Sequence, residues 1–394
     1  MSTPMAPALK NIVDSTFRAS PDYELLSFER LAPGEQARLA DLREDPDLYG
    51  ILKPRGGRAR NLQSVGQDTA LLLLTLQSPG PLPAYVRRRF GEDCNAAVAR
   101  LVLDGVLEVR VGPAFVGGAE AWPVLHDGPS AEAEGPLGRL SIDALRYGAA
   151  LGDVTAREVA LRLYVFNSLP LTPRWAREVS TVSAFLGLEG GGRVRRRLDA
   201  SWVSVSEGDQ ASGWWSWRHR GAVRAPSAEG WTWKLYVSPR MEALPEAFET
   251  AVRVFGESRT PVFKVGSTVR DLLRPDKLVA YFADRDDMER VGALLQRALS
   301  GLPAHGVPFT SDVAGEALVS FGADPPMDLE RGTVPWLRGE SWRLHVVHRL
   351  AAALLLARRS SDAGAVAPWR FAMDRVRLEG IDPTRWLPLE EGLK

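Results

Sequence analysis

The sequence predicts an α+β fold in which an N-terminal winged-helix-like module precedes a larger domain with a mainly antiparallel sheet flanked by helices. The first observation is length, because 394 residues exceed the roughly 100 to 200 residues of one domain. The second is a run of short helical segments that leads into a glycine-turned hairpin between residues 67 and 116. The third is a series of strand-like segments between Trp231 and Pro326, separated by helical ones.

The composition excludes several classes of protein. With 49 basic and 49 acidic residues the net charge is zero, so no overall field favours nucleic acid or a membrane surface. The single cysteine, Cys94, excludes an internal disulfide and a zinc site built from cysteines. The N-terminus lacks the apolar core of a signal peptide, and the longest apolar runs are too short to span a membrane. We therefore expect a cytoplasmic protein.

The N-terminal third divides into two predicted parts. Residues 1–64 predict an irregular lead-in with one helix, Pro33 to Arg43. Residues 65–122 predict a winged-helix-like module that binds a peptide or a partner protein by strand addition along its wing. DNA binding through the arginines at 87 to 89 is an alternative, but acidic residues are interspersed and no base-reading helix is evident. A purely structural module is the remaining interpretation.

The segment 123–136 is rich in proline, glycine, serine and alanine and predicts a linker to an α+β domain over residues 137–394. Helices with apolar residues at i, i+3 and i+4 follow, and Thr155 with Glu158 has the spacing of a capping box. The stretch WWSWRHR then alternates as a strand does, which places Trp215 and Trp217 on one face and Trp214 on the other. Packing in a half-buried sheet explains these tryptophans better than stacking on bases or sugars does.

Lysine is rare in this chain and is concentrated in the core motifs, residues 231–326. Only six of the 49 basic residues are lysines, and three of them lie in this stretch: Lys234, Lys264 and Lys277. Unlike arginine, a lysine can lose its proton near neutral pH when its surroundings lower its pKa. The retained lysines therefore indicate amines that take part in proton transfer, although chance and solubility at strand edges are equally good explanations.

Alternation along the strands predicts how these side chains are arranged. In WTWKLYVSP, Lys234 and Tyr236 point to the same face, and in PVFKV the apolar neighbours Phe263 and Val265 flank Lys264. A second positive charge and apolar surroundings would both lower the pKa of Lys264, so that it could act as a general base. Arg274, before DKLVAYF, suits bidentate capture of a phosphate. Alternatively, these residues form the solvated face of an antiparallel sheet.

These motifs resemble a known superfamily. KLYVS resembles the KxHxS strand of bacterial phosphothreonine lyases and of the lyase domains in class III and class IV lanthipeptide synthetases, and PVFK resembles their following strand. The spacing from Lys264 through RPDKLVAYF to GVPFTSD also resembles the Hop-type effector domain. The resemblance covers about 100 residues of the chain. Tyr236 replaces the histidine of the family, and SFGADPP has no clear counterpart of the family's late arginines.

The resemblance implies elimination of phosphate from phosphoserine or phosphothreonine, which leaves a dehydroamino acid. Lys264 would remove the α-proton, Lys234 would stabilise the enolate or the phosphate, and Tyr236 would stand in the position of the acid. Arg274 and Lys277 would bind phosphate, with Arg343 or Arg349 in place of the late arginines. The resemblance implies no metal and no organic cofactor. The implied partners are a phosphorylated precursor peptide and a kinase-like protein.

Three functions remain open at this point. The first is a lyase in the maturation of a peptide natural product. The second is a non-catalytic protein of the same fold that binds a phosphopeptide or a partner, which the replacement of histidine by Tyr236 favours. The third is a DNA-binding regulator built on the segment 65–122, which the zero net charge argues against.

Overall fold

The computed structural model describes residues 9–55, 62–126, 134–205, 213–222, 226, 230–325, 341–358 and 366–389. The chain divides into two compact units. The first comprises residues 1–131, 330–339 and 349–380, and the second comprises residues 132–329, 340–348 and 381–394. This division differs from the predicted continuous domain over 137–394, because a late segment of the chain belongs to the first unit. Half of the predicted linker 123–136, namely residues 127–133, lies outside the described residues, as does Pro326 at the end of the core motifs.

The first unit contains two small antiparallel sheets, ordered β5-β1-β6-β7 and β2-β3-β4. Its strands are β1 (Thr16–Ala19), β2 (Tyr23–Leu26), β3 (Leu48–Pro54), β4 (Gln63–Gly66), β5 (Gly80–Pro81), β6 (Leu107–Val111) and β7 (Ala114–Val116). Its helices are α1 (Pro33–Arg38), α2 (Gln67–Thr75), α3 (Ala84–Phe90), α4 (Cys94–Leu103), α5 (Trp122–Leu125) and α15 (Pro368–Arg377).

The prediction of an irregular lead-in over residues 1–64 is wrong, because four strands lie there. Strand β1 pairs with β6, where Arg18 is opposite Glu108 and the two side chains form an ion pair. Phe17 of the same strand is completely buried. No local pattern predicts a strand as short as β1, because it depends on a partner that is distant in the sequence. The predicted helix is also shorter, ending at Arg38 instead of Arg43.

The segment 65–122 has the predicted order of helices followed by a hairpin. Helices α2, α3 and α4 precede the antiparallel pair of β6 and β7. The short strand β5 lies between α2 and α3, and β1 from the lead-in separates β5 from β6 in the sheet. Its description as a winged helix stays a prediction.

The second unit is built on an antiparallel sheet of seven strands, ordered β13-β14-β10-β12-β11-β9-β8. Its strands are β8 (Trp202–Ser204), β9 (Trp214–His219), β10 (Thr232–Val237), β11 (Val262–Gly266), β12 (Leu278–Phe282), β13 (Ser311–Asp312), β14 (Val319–Asp324), β15 (Ile381–Asp382) and β16 (Leu387–Pro388). Its helices are α6 (Gly135–Ala150), α7 (Ala156–Tyr164), α8 (Pro173–Glu178), α9 (Val182–Phe185), α10 (Arg193–Ser201), α11 (Leu244–Glu257), α12 (Val269–Leu272) and α13 (Arg285–Ala298). Helix α14 (Trp342–Ala357) starts in the second unit and ends in the first. Helices together with antiparallel sheets confirm the predicted α+β class.

Local signals place several of these helices. The predicted capping box at the start of α7 is confirmed, because the Thr155 hydroxyl accepts from the Glu158 amide and the Glu158 carboxylate accepts from the Thr155 amide. Asp284 caps α13 in the same way, accepting from the amide of Asp287 at 3.0 Å.

The two faces of the large sheet have different roles. One face carries Trp233, Leu235, Phe263 and Leu278, which are buried in the main hydrophobic core together with residues of α10, α11 and α13. Because neighbours along a strand point to opposite sides, Lys234, Tyr236 and Lys264 face away from this core. The core therefore holds the sheet rigidly while its other face presents the polar residues of the core motifs.

Candidate functional site

The register of three central strands brings the predicted catalytic residues together. In β10, Lys234 is opposite Tyr281 of β12, and Tyr236 is opposite Val279. On the other side of β12, Lys264 of β11 is also opposite Val279. The amines of Lys234 and Lys264 lie 5.3 Å and 5.4 Å from the centre of the Tyr281 ring, one from each neighbouring strand. Lys234 and Tyr236 share a face of the sheet as predicted, and Lys264 lies on the same face.

Lys264 has the properties of an amine that can lose its proton. It is half-buried, and its Nζ lies 4.2 Å from the centre of the Trp214 ring. Burial and the charge of Lys234 lower the pKa of Lys264 to about 8. A substantial fraction of this side chain is then neutral in mildly alkaline solution, as a general base must be.

Lys234 is held by a carboxylate that the sequence reasoning did not single out. Its ammonium forms an ion pair with Asp324 of β14, and its side chain is nearly buried. Asp324 also accepts a hydrogen bond of 2.6 Å from the amide of Trp342, the first residue of α14. The same carboxylate thus orients Lys234 and fixes the start of the helix that carries Arg343. Asp324 is the aspartate of the motif SFGADPP, which the sequence analysis quoted without assigning this residue a role.

A second carboxylate, Asp276, organises the arginines. Arg274 donates from Nε and Nη2 to the two Asp276 oxygens, both at 3.0 Å, and Nη1 of Arg343 lies 3.0 Å from one of them. Burial alone would raise the pKa of Asp276, but the two guanidinium groups hold it below its ordinary value. The Tyr164 hydroxyl lies 3.4 Å from both Asp276 and Arg274. Asp276 belongs to the RPDK turn quoted in the sequence analysis. Tyr164 ends helix α7, and no sequence pattern indicated that it would reach this site.

Arg274 and Arg343 differ in access. The Arg274 side chain is 28% exposed, and among the described residues none accepts a hydrogen bond from its Nη1. Arg343 is buried, and its remaining nitrogens donate to the carbonyls of Pro308 and Tyr164. Arg274 can therefore meet a phosphate directly, while Arg343 acts on it only through Asp276.

The structure does not bring the other two predicted phosphate ligands to this site. Lys277 is completely buried, and its Nζ donates to the Pro239 carbonyl at 2.8 Å and lies 2.7 Å from Nδ1 of His305. Burial lowers the pKa of Lys277 to about 7, so it is a structural amine closed to a ligand. Arg349 belongs to the first unit, where it forms an ion pair with Glu379 at 3.0 Å.

Tyr236 occupies the position expected of the proton donor. Its side chain is buried beside Val279, Val307 and Tyr281. Burial and the nearby Asp324 raise the pKa of Tyr236 well above its ordinary value. The phenol therefore stays protonated and can donate a hydrogen bond, but it is a weaker acid than the histidine of the related motif.

The tryptophan-rich strand β9 divides as predicted. Trp217 stacks on the core residue Phe263 with ring centres 5.0 Å apart, whereas Trp214 lies over Lys264 and has its ring centre 5.4 Å from the Arg274 guanidinium. Trp214, Tyr164 and Tyr281 form aromatic walls around the cations of the site. The site thus combines one titratable amine, a partly exposed guanidinium and a hydrogen-bonding phenol.

No family model matches the chain, and no curated protein matches it. An effector protein from Pseudomonas syringae pv. tomato has a similar structure, with a TM-score of 0.40 and 12% identity over 63% of this chain and 97% of the effector. The phosphothreonine lyase effector VirA (SpvC) from Chromobacterium violaceum has a TM-score of 0.28 and 16% identity over 43% of this chain and 84% of its own. The effector and phosphothreonine lyase OspF from Shigella flexneri has a TM-score of 0.27 and 14% identity over 46% of this chain and 88% of its own.

These similar structures are phosphothreonine lyase effectors and a Pseudomonas effector. All of these TM-scores lie below 0.5, so the chemistry is derived from the residues of this chain alone. Among the helices that the structure describes, none combines the length and the apolar composition of a membrane span.

Proposed function

We propose that this protein eliminates phosphate from phosphoserine or phosphothreonine and leaves a dehydroamino acid. One observation carries the proposal: the lowered pKa of Lys264, about 8, beside Lys234 and the partly exposed Arg274 on one face of the sheet. An amine that can be neutral, surrounded by fixed positive charge, suits removal of a proton next to an anionic group.

The charges of the site fit a phosphate ester. Arg274, Arg343 and Lys234 are positive, whereas Asp276 and Asp324 are negative, so the site keeps a positive excess even when Lys264 is neutral. Nη1 of Arg274 would hold the phosphate, and Lys234 would stabilise the negative charge that develops on the enolate oxygen.

The proposed step balances its protons and electrons. Neutral Lys264 takes the α-proton, the electron pair of the C–H bond forms the C=C bond, and the Cβ–O bond breaks. The leaving phosphate oxygen receives a proton from the Tyr236 hydroxyl, and the proton held by Lys264 then returns to the tyrosinate through solvent. No oxidant or reductant is needed.

The substrate we propose is a phosphorylated precursor peptide in the maturation of a peptide natural product, supplied by a kinase-like partner. The segment 65–122 is proposed to bind part of the peptide. These assignments rest on the motif resemblance and not on the site geometry.

The test is mass spectrometry of phosphoserine and phosphothreonine peptides after incubation with the protein. We expect loss of phosphoric acid, and no loss with Lys264→Arg, because arginine keeps the charge but cannot become neutral near neutral pH. The matched control is Lys53→Arg, a lysine of the first unit that pairs with Glu35 at 2.9 Å, and it should leave the reaction unchanged. Full activity of Lys264→Arg would exclude Lys264 as the base.

A second function, binding without catalysis, is favoured by the buried phenol of Tyr236 in place of a stronger acid. It predicts that phosphopeptides bind and are recovered unchanged. Tyr236→His would then create elimination activity, since histidine has an ordinary pKa near 6.5.

A further inference from the structure

Strand β8 forms one edge of the seven-stranded sheet and offers unpaired backbone groups. Across the pair with β9, the Val205 amide donates to the Ser216 carbonyl, and the Arg220 amide donates to the Ser201 carbonyl, both at 2.9 Å. Because hydrogen-bonded residues alternate along an antiparallel strand, Ser204 directs its amide and carbonyl away from β9. No described residue accepts from that amide. The outer edge is therefore a template for another strand.

A groove adjoins this edge. It has a volume of roughly 460 Å³ and lies between α10 and the strands β8 and β9. Trp215 and Trp217 line it and are only half-buried, while the stacking of Trp217 on Phe263 fixes that ring. On the same edge, Val203 and Val205 are exposed by 37% and 51%. Because Val203 and Val205 are opposite Arg218 and Ser216, they lie on the other face of the sheet from Trp215 and Trp217. Apolar side chains on one face of an added strand would therefore lie over the rigid aromatic groove.

The charge of the groove indicates the chemistry of its occupant. Arg195 and Arg220 line it, with Asp199 as the single acidic residue among the lining residues, and Arg195 donates to Asp199 at 3.0 Å. Arg220 is exposed, and the part of the chain that the structure describes supplies no acidic partner for it. A carboxylate from outside the chain would complete this arrangement.

We infer that the outer edge of β8 binds an extended acidic peptide segment as an eighth strand, with apolar side chains over Trp215 and Trp217 and a carboxylate at Arg220. Peptide binding at this edge does not depend on the proposed function. Its role does depend on it, because the edge would hold a segment of the substrate peptide that lies outside the phosphorylated residue. Strand addition supplies affinity through the backbone, and the groove supplies the preference for sequence.

The position of the edge sets the spacing between the docked segment and the reacting residue. An added strand would lie three strand spacings from β11, which carries Lys264, or roughly 14 Å across the sheet. An extended chain advances roughly 3.3 Å per residue, so the phosphorylated residue would lie at least about four residues outside the docked segment.

The test uses an unphosphorylated, end-capped, fluorescein-labelled peptide in which glutamate alternates with valine, and it does not depend on catalysis. Fluorescence polarisation should show binding that weakens with salt. Ser204→Pro removes only the outward amide and should weaken binding about tenfold, the effect of one or two hydrogen bonds. Ser204→Ala keeps the amide and should bind as the native protein does, whereas Arg220→Glu should bind more weakly.

Hydrogen exchange of the native protein gives a second readout that needs no variant. The peptide should protect the amide of Ser204, for which the described residues provide no acceptor. Equal binding by Ser204→Pro and Ser204→Ala, or no protection of this amide, would overturn the inference. So would binding of a single-stranded oligonucleotide in preference to the peptide. Loss of elimination with intact peptide binding would refute the proposed function alone.

Discussion

Lys264 shows how neighbours set the chemistry of one residue. Burial and the charge of Lys234 lower its pKa to about 8, and the opposite charges of Asp276 and Asp324 limit the fall. An isolated lysine has a pKa near 10.4 and would be protonated at neutral pH. The usefulness of this amine as a base therefore depends on groups from two other strands and a turn.

Two substitutions should move the pH dependence of elimination in opposite directions. With Lys264 as the base, kcat/KM should rise as pH increases through about 8, because the neutral amine is the active form. Lys234→Gln removes a positive neighbour and should shift the inflection to higher pH. Asp276→Asn removes a negative neighbour and should shift it to lower pH, while lowering stability because the buried Arg343 and the partly exposed Arg274 lose their partner. Profiles of kcat/KM against pH measure both shifts; an inflection that stays in place would exclude Lys264 as the titrating group.

At the scale of single elements, the site depends on how α14 meets β14. Gly322 is opposite Lys234, and a Cβ on Gly322 would lie 2.7 Å from Cδ1 of Trp342. The Trp342 indole is buried and donates to the Trp386 carbonyl at 2.7 Å, so the ring cannot easily move away from an added Cβ. The glycine thus allows the helix that carries Arg343 to begin against the sheet.

Gly322→Ala should therefore destabilise the protein by about 1 to 3 kcal/mol, the usual cost of forcing extra volume into a packed region. Urea unfolding followed by tryptophan fluorescence would measure the loss. Gly152→Ala is the matched control, because a Cβ at Gly152 meets nothing within 4 Å and should change stability little. Equal stability of the two variants would show that Trp342 can move aside.

The sequence predicted some elements better than others. The strands of Lys234 and Lys264 were predicted from alternation, since each has one face in the core. Strand β1 was missed because it is short and pairs with a distant segment, as the register of Arg18 with Glu108 shows. Asp276 and Asp324 were overlooked within quoted motifs, because no spacing rule indicates that a carboxylate will reach an amine on another strand.

At the scale of the whole molecule, two lysines with lowered pKa values link stability to pH. The pKa of Lys277 is lowered to about 7 and that of Lys264 to about 8, whereas lysines in the unfolded chain titrate near 10.4. Between these values the unfolded chain binds more protons than the folded protein, so the free energy of unfolding rises with pH.

We therefore expect a higher urea midpoint at about pH 9 than at about pH 7, because less work is needed to keep these amines neutral. Lys277→Met should reduce the difference between the two midpoints. The loss of stability should be larger at about pH 9 than at about pH 7, since the Pro239 carbonyl loses its donor at both pH values while the cost of keeping the amine neutral, which is greater at pH 7, disappears. A midpoint that falls between these pH values in the native protein would contradict the expectation.

The sequence alone determined that Lys234 and Tyr236 share a face, because alternation within one strand is a local property. It also indicated the α+β class. Only the tertiary structure decided which residues can meet a ligand. Arg274 keeps an exposed side chain, whereas Arg343 and Lys277 are buried and Arg349 pairs with Glu379. The reason is that access and ion pairing depend on contacts between distant segments, and periodicity along the chain carries no information about them.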